Sequence, residues 1–181
     1  MKITLLAAFV LSVGITGSAL AADNTVRFLG EVTDQTCTIK INGTESNPVI
    51  LLPTVSKATL ASEGSSAGET PFTVTLSNCD VAASSSLGNV GVRFVVNERD
   101  GENLKNIAAN SPATNVAIQL LEGVTALDFT SGEAKTTAKS IGGDGGESTV
   151  TFDMFAKYYS TAGGATSGAV EAEAQFAITY L

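Results

Sequence analysis

Chemistry at pH 7 needs a titratable group, a nucleophile or a set of metal ligands. The chain offers few: it contains no histidine. That removes Ser-His-Asp and Cys-His catalysis, histidine general bases and histidine metal sites together. Two cysteines remain, Cys37 and Cys79. They are too far apart for a CxxC redox or zinc motif. In an exported chain an even cysteine count points to a disulfide, and two cysteines allow a single intramolecular pairing. The carboxylates are numerous, and two of them could serve a glycosidase, yet nothing in their spacing marks a pair. "GGDGGE" lacks the regularly spaced acids of a calcium loop and reads as a loop. No phosphate-binding glycine motif occurs. "NGT" at Asn42 to Thr44 matches a glycosylation sequon, a three-residue pattern that recurs by chance. With no tryptophan and three tyrosines, the aromatic platform of a lectin site has little support. The reading is no enzyme, no cofactor and no metal.

The elements around these residues are strands. "TCTIKI" alternates Cys37, Ile39 and Ile41, and "PFTVTLSNC" alternates Phe72, Val74 and Leu76 with threonine and serine. "NVGVRFVVN" is valine-rich, and "NVAIQLL" alternates Val116, Ile118 and Leu120. "STVTFDMFAKYY" puts Val150, Phe152 and Met154 on one face. "VEAEAQFAITYL" does the same with Ala174, Phe176, Ile178 and Tyr180. "NPVILLP" is a short apolar run between prolines, and "VSKATLASEG" reads as a brief helical turn before Gly64. Short alternating strands with Gly, Ser and Asn punctuation indicate an all-β sandwich or barrel. "SSLGN", "GGDGGES" and "STAGGATSG" read as loops, with no repeat and no interdomain linker.

Residues 1–21 read as a secretory signal peptide. Lys2 precedes an apolar core, and Ala19-Leu20-Ala21 fits a small-x-small cleavage site. The chain carries 10 Lys+Arg and 18 Asp+Glu, a net charge of −8. Without Lys2 the balance is 9 against 18, or −9. Such acidity repels nucleic acid and anionic membranes. The next stretch, "ADNTVRFLGEV", alternates again: Val26, Phe28, Gly30 and Val32 share one face. An apolar strand at a free end is an aggregation hazard unless something pairs with it, and Gly30 would allow another backbone or a bulky side chain to come close.

Four features, in this order, resemble one family. They are the alternating "TVRFLGEV" arm before Cys37, the Cys37–Cys79 spacing with Cys79 inside "TPFTVTLSNCD", Gly168 near the C-terminus with penultimate Tyr180, and "KYYSTAGGATSGAVEAEAQFAITYL". Together they resemble structural pilins of the bacterial chaperone–usher pathway, near the major subunits of type 1-like fimbriae. Leu181 departs from the polar last residue often found there.

The resemblance implies an immunoglobulin-like β-sandwich that lacks its last strand and is completed by a donor strand from a neighbouring subunit. It implies a signal peptide at 1–21, a donor arm at 22–34 and a pilin domain at 35–181. The donor residues would be Val26, Phe28, Gly30 and Val32. The groove and C-terminal assembly motif would comprise Gly168, Phe176, Ile178 and Tyr180. The implied partners are identical or related pilins in a head-to-tail polymer, a periplasmic chaperone and an outer-membrane usher. The implied location is a surface fimbria reached through the periplasm. The implied function is a structural subunit polymerising by donor-strand exchange, in support of adhesion. The alternative is a minor adaptor or adhesive pilin that binds a host sugar or protein.

Overall fold

Strand patterns in the sequence become strands wherever an alternating apolar face finds a sheet to pack against. The computed structural model describes residues 36–80, 88–141 and 149–180. The leader at 1–21, the arm residues Val26, Phe28, Gly30 and Val32, and "GGDGGE" all lie outside them. Among the described residues there are eleven strands: β1 Thr36–Ile41, β2 Ser66–Asp80, β3 Gly88–Val95, β4 Arg99–Asp100, β5 Asn103–Lys105, β6 Ala117–Glu122, β7 Thr125–Ala126, β8 Glu133–Lys135, β9 Lys139–Ile141, β10 Val150–Tyr159 and β11 Gln175–Tyr180. One 3-10 turn, Lys57–Leu60, fills the place of the expected helical turn. The Ser56 hydroxyl caps it by accepting from the Ala58 amide at 3.3 Å.

The strands form two antiparallel sheets. The larger runs β1-β2-β10-β6-β5-β4, with β7 paired to β6. The smaller runs β11-β3-β8, with β9 paired to β3. Alternation decides which side chains meet between them, because successive residues of a strand point to opposite faces. On β2 the inward row is Phe72, Val74 and Leu76. On β10 it is Val150, Phe152 and Met154, in register with Leu76, Val74 and Phe72 respectively. On β3 it is Val90, Val92 and Phe94. All nine are buried in one cluster shared by the two sheets. Full burial of such side chains contributes about 1.5–3 kcal/mol each, as an upper estimate.

Local irregularities follow from residues that tolerate positive φ. Asn42 (φ 47°) and Gly43 (φ 80°) turn the chain after β1. The Asn42 side-chain oxygen accepts from the Thr73 amide at 2.9 Å, so this Asn-Gly acts as a turn. Leu76 and Cys79 are three apart and would face opposite ways in a regular strand. A register shift opposite Thr36–Thr38, with Asn78 at φ 51°, turns both inward. Cys79 is thereby buried and bonded to Cys37 on β1, so the disulfide ties the first described strand to its neighbour.

"NPVILLP" joins no strand. Ile50 and Leu52 pack against the main core, while Val49 and Leu51 are 84% and 86% exposed.

Candidate functional site: an open seam between the sheets

Two strands stand at the edges of their sheets. β1 pairs with β2 and β11 pairs with β3, and no described strand covers the other edge of either. They approach each other at one end, where the Cys37 amide donates to the Tyr180 hydroxyl at 3.1 Å. Away from that end no described strand joins β1 to β11.

The large apolar residues of β11 share one face, as their alternation requires. Phe176, Ile178 and Tyr180 lie opposite Phe94, Val92 and Val90 of β3 and share the inward face of β11. All three pack against the core and yet are only half buried. Their β3 partners are buried, with Val90 and Val92 at 0% exposure. The same row continues upstream of β11 through Val170, Ala172 and Ala174, each half buried, with Glu171 and Glu173 exposed between them. Ile39 of β1 and Ile50 and Leu52 of the unpaired run add half-buried apolar surface to the same core. A row of large side chains held halfway between core and solvent, next to an unpaired strand edge, is what strand addition uses. Main-chain hydrogen bonds provide attachment, and alternate side chains provide selection.

Gly168 lies elsewhere, outside the Phe176–Tyr180 row. It sits where residues 166–169 press against the loop 111–114. A Cβ at Gly168 would collide with Ala113 N, Pro112 C and Ser111 O. Its missing side chain admits the hydrogen bonds Ala113 N to Ala169 O and Ala169 N to Ser111 O, both 2.9 Å. The glycine therefore serves close backbone approach.

Sequence reasoning missed Asn106. Its carboxamide bonds four backbone groups around the start of the 170–174 run. One asparagine in "KNIAAN" carries no sequence signal of that kind. It also missed Thr136, whose hydroxyl accepts from the Val92 amide at 2.9 Å between the stretches of β3 that pair with β8 and β9.

Burial pushes the Tyr158 phenol up. Elsewhere the Glu98 carboxylate, hydrogen-bonded to Lys105 at 2.5 Å, raises that exposed amine. The Thr130 amide, donating to Asp128 at 2.7 Å, holds the Asp128 carboxyl below its ordinary range. Among the described residues no cluster of acids and cysteines is placed to hold a metal ion.

Comparison with known proteins agrees with this geometry. The Fimbrial protein family matches residues 26–181. The major fimbrial subunit SMF-1 of Stenotrophomonas maltophilia is 39% identical over 173 residues, covering 90% of this chain and 95% of that protein. The F17 fimbrial protein of Escherichia coli is 36% identical over 176 residues, covering 94% of each. A solved chaperone–usher pilus subunit superposes with a TM-score of 0.61 at 23% identity, covering 89% of this chain and 97% of that one. It shares the immunoglobulin-like sandwich. With a family match spanning residues 26–181 and relatives of this identity and coverage, the chain belongs to the Fimbrial protein family.

Proposed function

We propose that this chain, a non-enzymatic structural subunit of a surface fimbria, polymerises by receiving the arm of a neighbouring copy into its open seam. Val26, Phe28 and Val32 of the incoming arm would cover the row of Phe176, Ile178 and Tyr180. Gly30 would face the bulkiest part of the wall. Three such side chains contribute roughly 1.5–3 kcal/mol each on burial, an upper estimate. That sum is comparable with the stability of an ordinary domain, about 5–15 kcal/mol. The contact is heterologous, arm to seam, so it extends a fibre instead of closing a ring.

Before assembly the same edge needs cover, since an unpaired apolar strand edge invites aggregation. A periplasmic chaperone lending a strand, and an outer-membrane usher where the neighbour's arm replaces it, would meet that need. The observation that carries the reading is the half-buried row of β11 beside an edge that no described strand pairs with.

The test uses the exported chain carrying Phe28→Asp, which keeps its seam but cannot donate its arm. A synthetic peptide of residues 22–36 should raise its melting temperature and protect the β11 amides from exchange. A peptide carrying Gly30→Arg should do neither. If the native-sequence peptide leaves both readings unchanged, strand capture at this seam is wrong.

A further inference from the structure

The wall of the seam is longer than the strand that forms it. β11 pairs with β3 only over Gln175–Tyr180, about 17 Å at the usual rise of ~3.4 Å per residue. The arm row from Val26 to Val32 spans about 20 Å on the same basis. One end of the seam is already taken by the Cys37–Tyr180 hydrogen bond. A strand entering beside β11 therefore overruns the β3 ladder and must lie partly against residues 170–174.

Those residues have no sheet to hold them, and Asn106 does so instead. Its Nδ2 donates to the carbonyls of Ala113 and Ala169, both at 2.9 Å. Its Oδ1 accepts from the Ala108 amide at 3.1 Å and the Glu171 amide at 3.0 Å. Both donors of the carboxamide are used and its acceptor is used twice, the full complement of an asparagine side chain. The Ile107 amide adds a bond to the Glu171 carbonyl at 2.8 Å. Both backbone groups of Glu171 are thus turned toward the 106–113 loop. Val170, Ala172 and Ala174 stay in line with the inward row of β11.

We propose that Asn106 is a positioning residue for strand capture, holding residues 169–171 so that Val170, Ala172 and Ala174 extend the wall made by Phe176, Ile178 and Tyr180. This rests on the seam being the arm's receptor. Asn106 acts through the run it fastens and need not touch the arm. Glu171 bonds with both backbone groups toward the loop, and no described strand pairs with residues 170–174. With the backbone bonds of Ala169 to the 111–113 loop and of Glu171 to Ile107, the side-chain amide thus does for residues 169–171 what β3 does for Gln175–Tyr180.

The experiment compares receptors built on the full Phe28→Asp chain, each loaded with a fluorescent peptide of residues 22–36. With Asn106→Leu the peptide should dissociate at least tenfold faster. The amides of Ala172 and Ala174 should lose protection in the complex, while those of Ala177 and Thr179 keep it. Glu171→Pro deletes one bonding partner without touching Asn106 and should shift release in the same direction by a smaller factor. A core variant, Ile118→Val, serves as a receptor of lowered melting temperature and should release the peptide at the parent rate. If Asn106→Leu and Glu171→Pro release it no faster than Ile118→Val, Asn106 is a stabilising loop residue and the proposal falls. If the parent receptor binds no peptide, the strand-capture reading falls and takes this inference with it.

Discussion

The backbone amide of Cys37 donates to the hydroxyl of Tyr180 at 3.1 Å, joining residues 143 positions apart. Cys37 lies in β1 and is also disulfide-bonded to Cys79 in β2. Tyr180 lies in β11, on the other sheet. One residue thus anchors a covalent tie within the large sheet and a polar tie across the seam. Tyr180→Phe keeps the ring and removes the hydroxyl. Urea unfolding should show a loss of about 0.5–1.5 kcal/mol, and the Cys37 amide should exchange faster. An unchanged Cys37 amide would show that the hydroxyl does not close this end.

Removing the covalent tie should cost more. The Cys37–Cys79 bond closes a loop with a sequence separation of 42, for which the chain-entropy relation gives about 4 kcal/mol. A Cys37→Ser, Cys79→Ser double variant should lose stability on that scale in urea unfolding. A loss below about 1 kcal/mol would mean that β1 is held by its ladder to β2 alone.

The two faces of β11 should respond in opposite ways. Ile178 shares the half-buried row, whereas Ala177 is exposed on the other face. Ile178→Ser should weaken binding of the residue 22–36 peptide by ten- to a hundredfold, since a lost apolar contact of about 1.5–3 kcal/mol corresponds to that range. Ala177→Ser should leave binding within a factor of two. Equal effects at both positions would exclude strand insertion along the inward face.

Gly168→Ala tests backbone approach alone. The added methyl meets backbone atoms of Ser111, Pro112 and Ala113 with no flexible side chain to yield. Overpacking of this kind costs about 1–3 kcal/mol, to be read as a lowered melting temperature. A neutral result would require the 111–113 loop to move freely.

Acid should weaken the fold through Asp128. Its folded pKa lies below its ordinary value because the Thr130 amide donates to the carboxylate. The stabilisation is therefore present above the usual aspartate range, about pH 3.9, and is lost as pH falls through the depressed folded value. With no histidine in the chain, stability should show no histidine-driven step between about pH 5 and 8. Asp128→Asn should flatten the acid limb of the melting-temperature profile. An unaltered limb would remove Asp128 from the account.

Legibility in the sequence followed side-chain size and strand length. "TCTIKI" is β1 residue for residue, and the alternating rows of β2, β10 and β11 face the core as their patterns require, while Val116 of the row read through Ile118 and Leu120 packs in a second, smaller cluster. These are runs long enough for period two to show. β4 and β7 have two residues each, and β5, β8 and β9 have three; no alternation can emerge from so few. β2 begins at Ser66, earlier than "PFTVTLSNC" suggests, because Gly68 at φ 70° hides the strand from propensity. Phe176, Ile178 and Tyr180 share one face of β11, as their alternation requires, and Cys37 is joined to Cys79. The resemblance places Gly168 in the C-terminal assembly motif, while its backbone packing against residues 111–113 was not legible. Asn106 was not legible at all, since its four partners come from segments that only the fold brings together.

The pairing of β3 with β11 also has a history in time. Phe94 lies opposite Phe176, about eighty residues further along the chain. While a chain emerges, β3 can meet β8 and β9 early, but the partner for its other edge is made much later. Pairings of such long range are slow to form, and strand edges left waiting are where chains misassociate. Once β11 docks, no described strand pairs with its other edge. On the strand-capture proposal the hazard passes from β3 to β11, and cover would be needed from the moment of docking, well before any fibre exists.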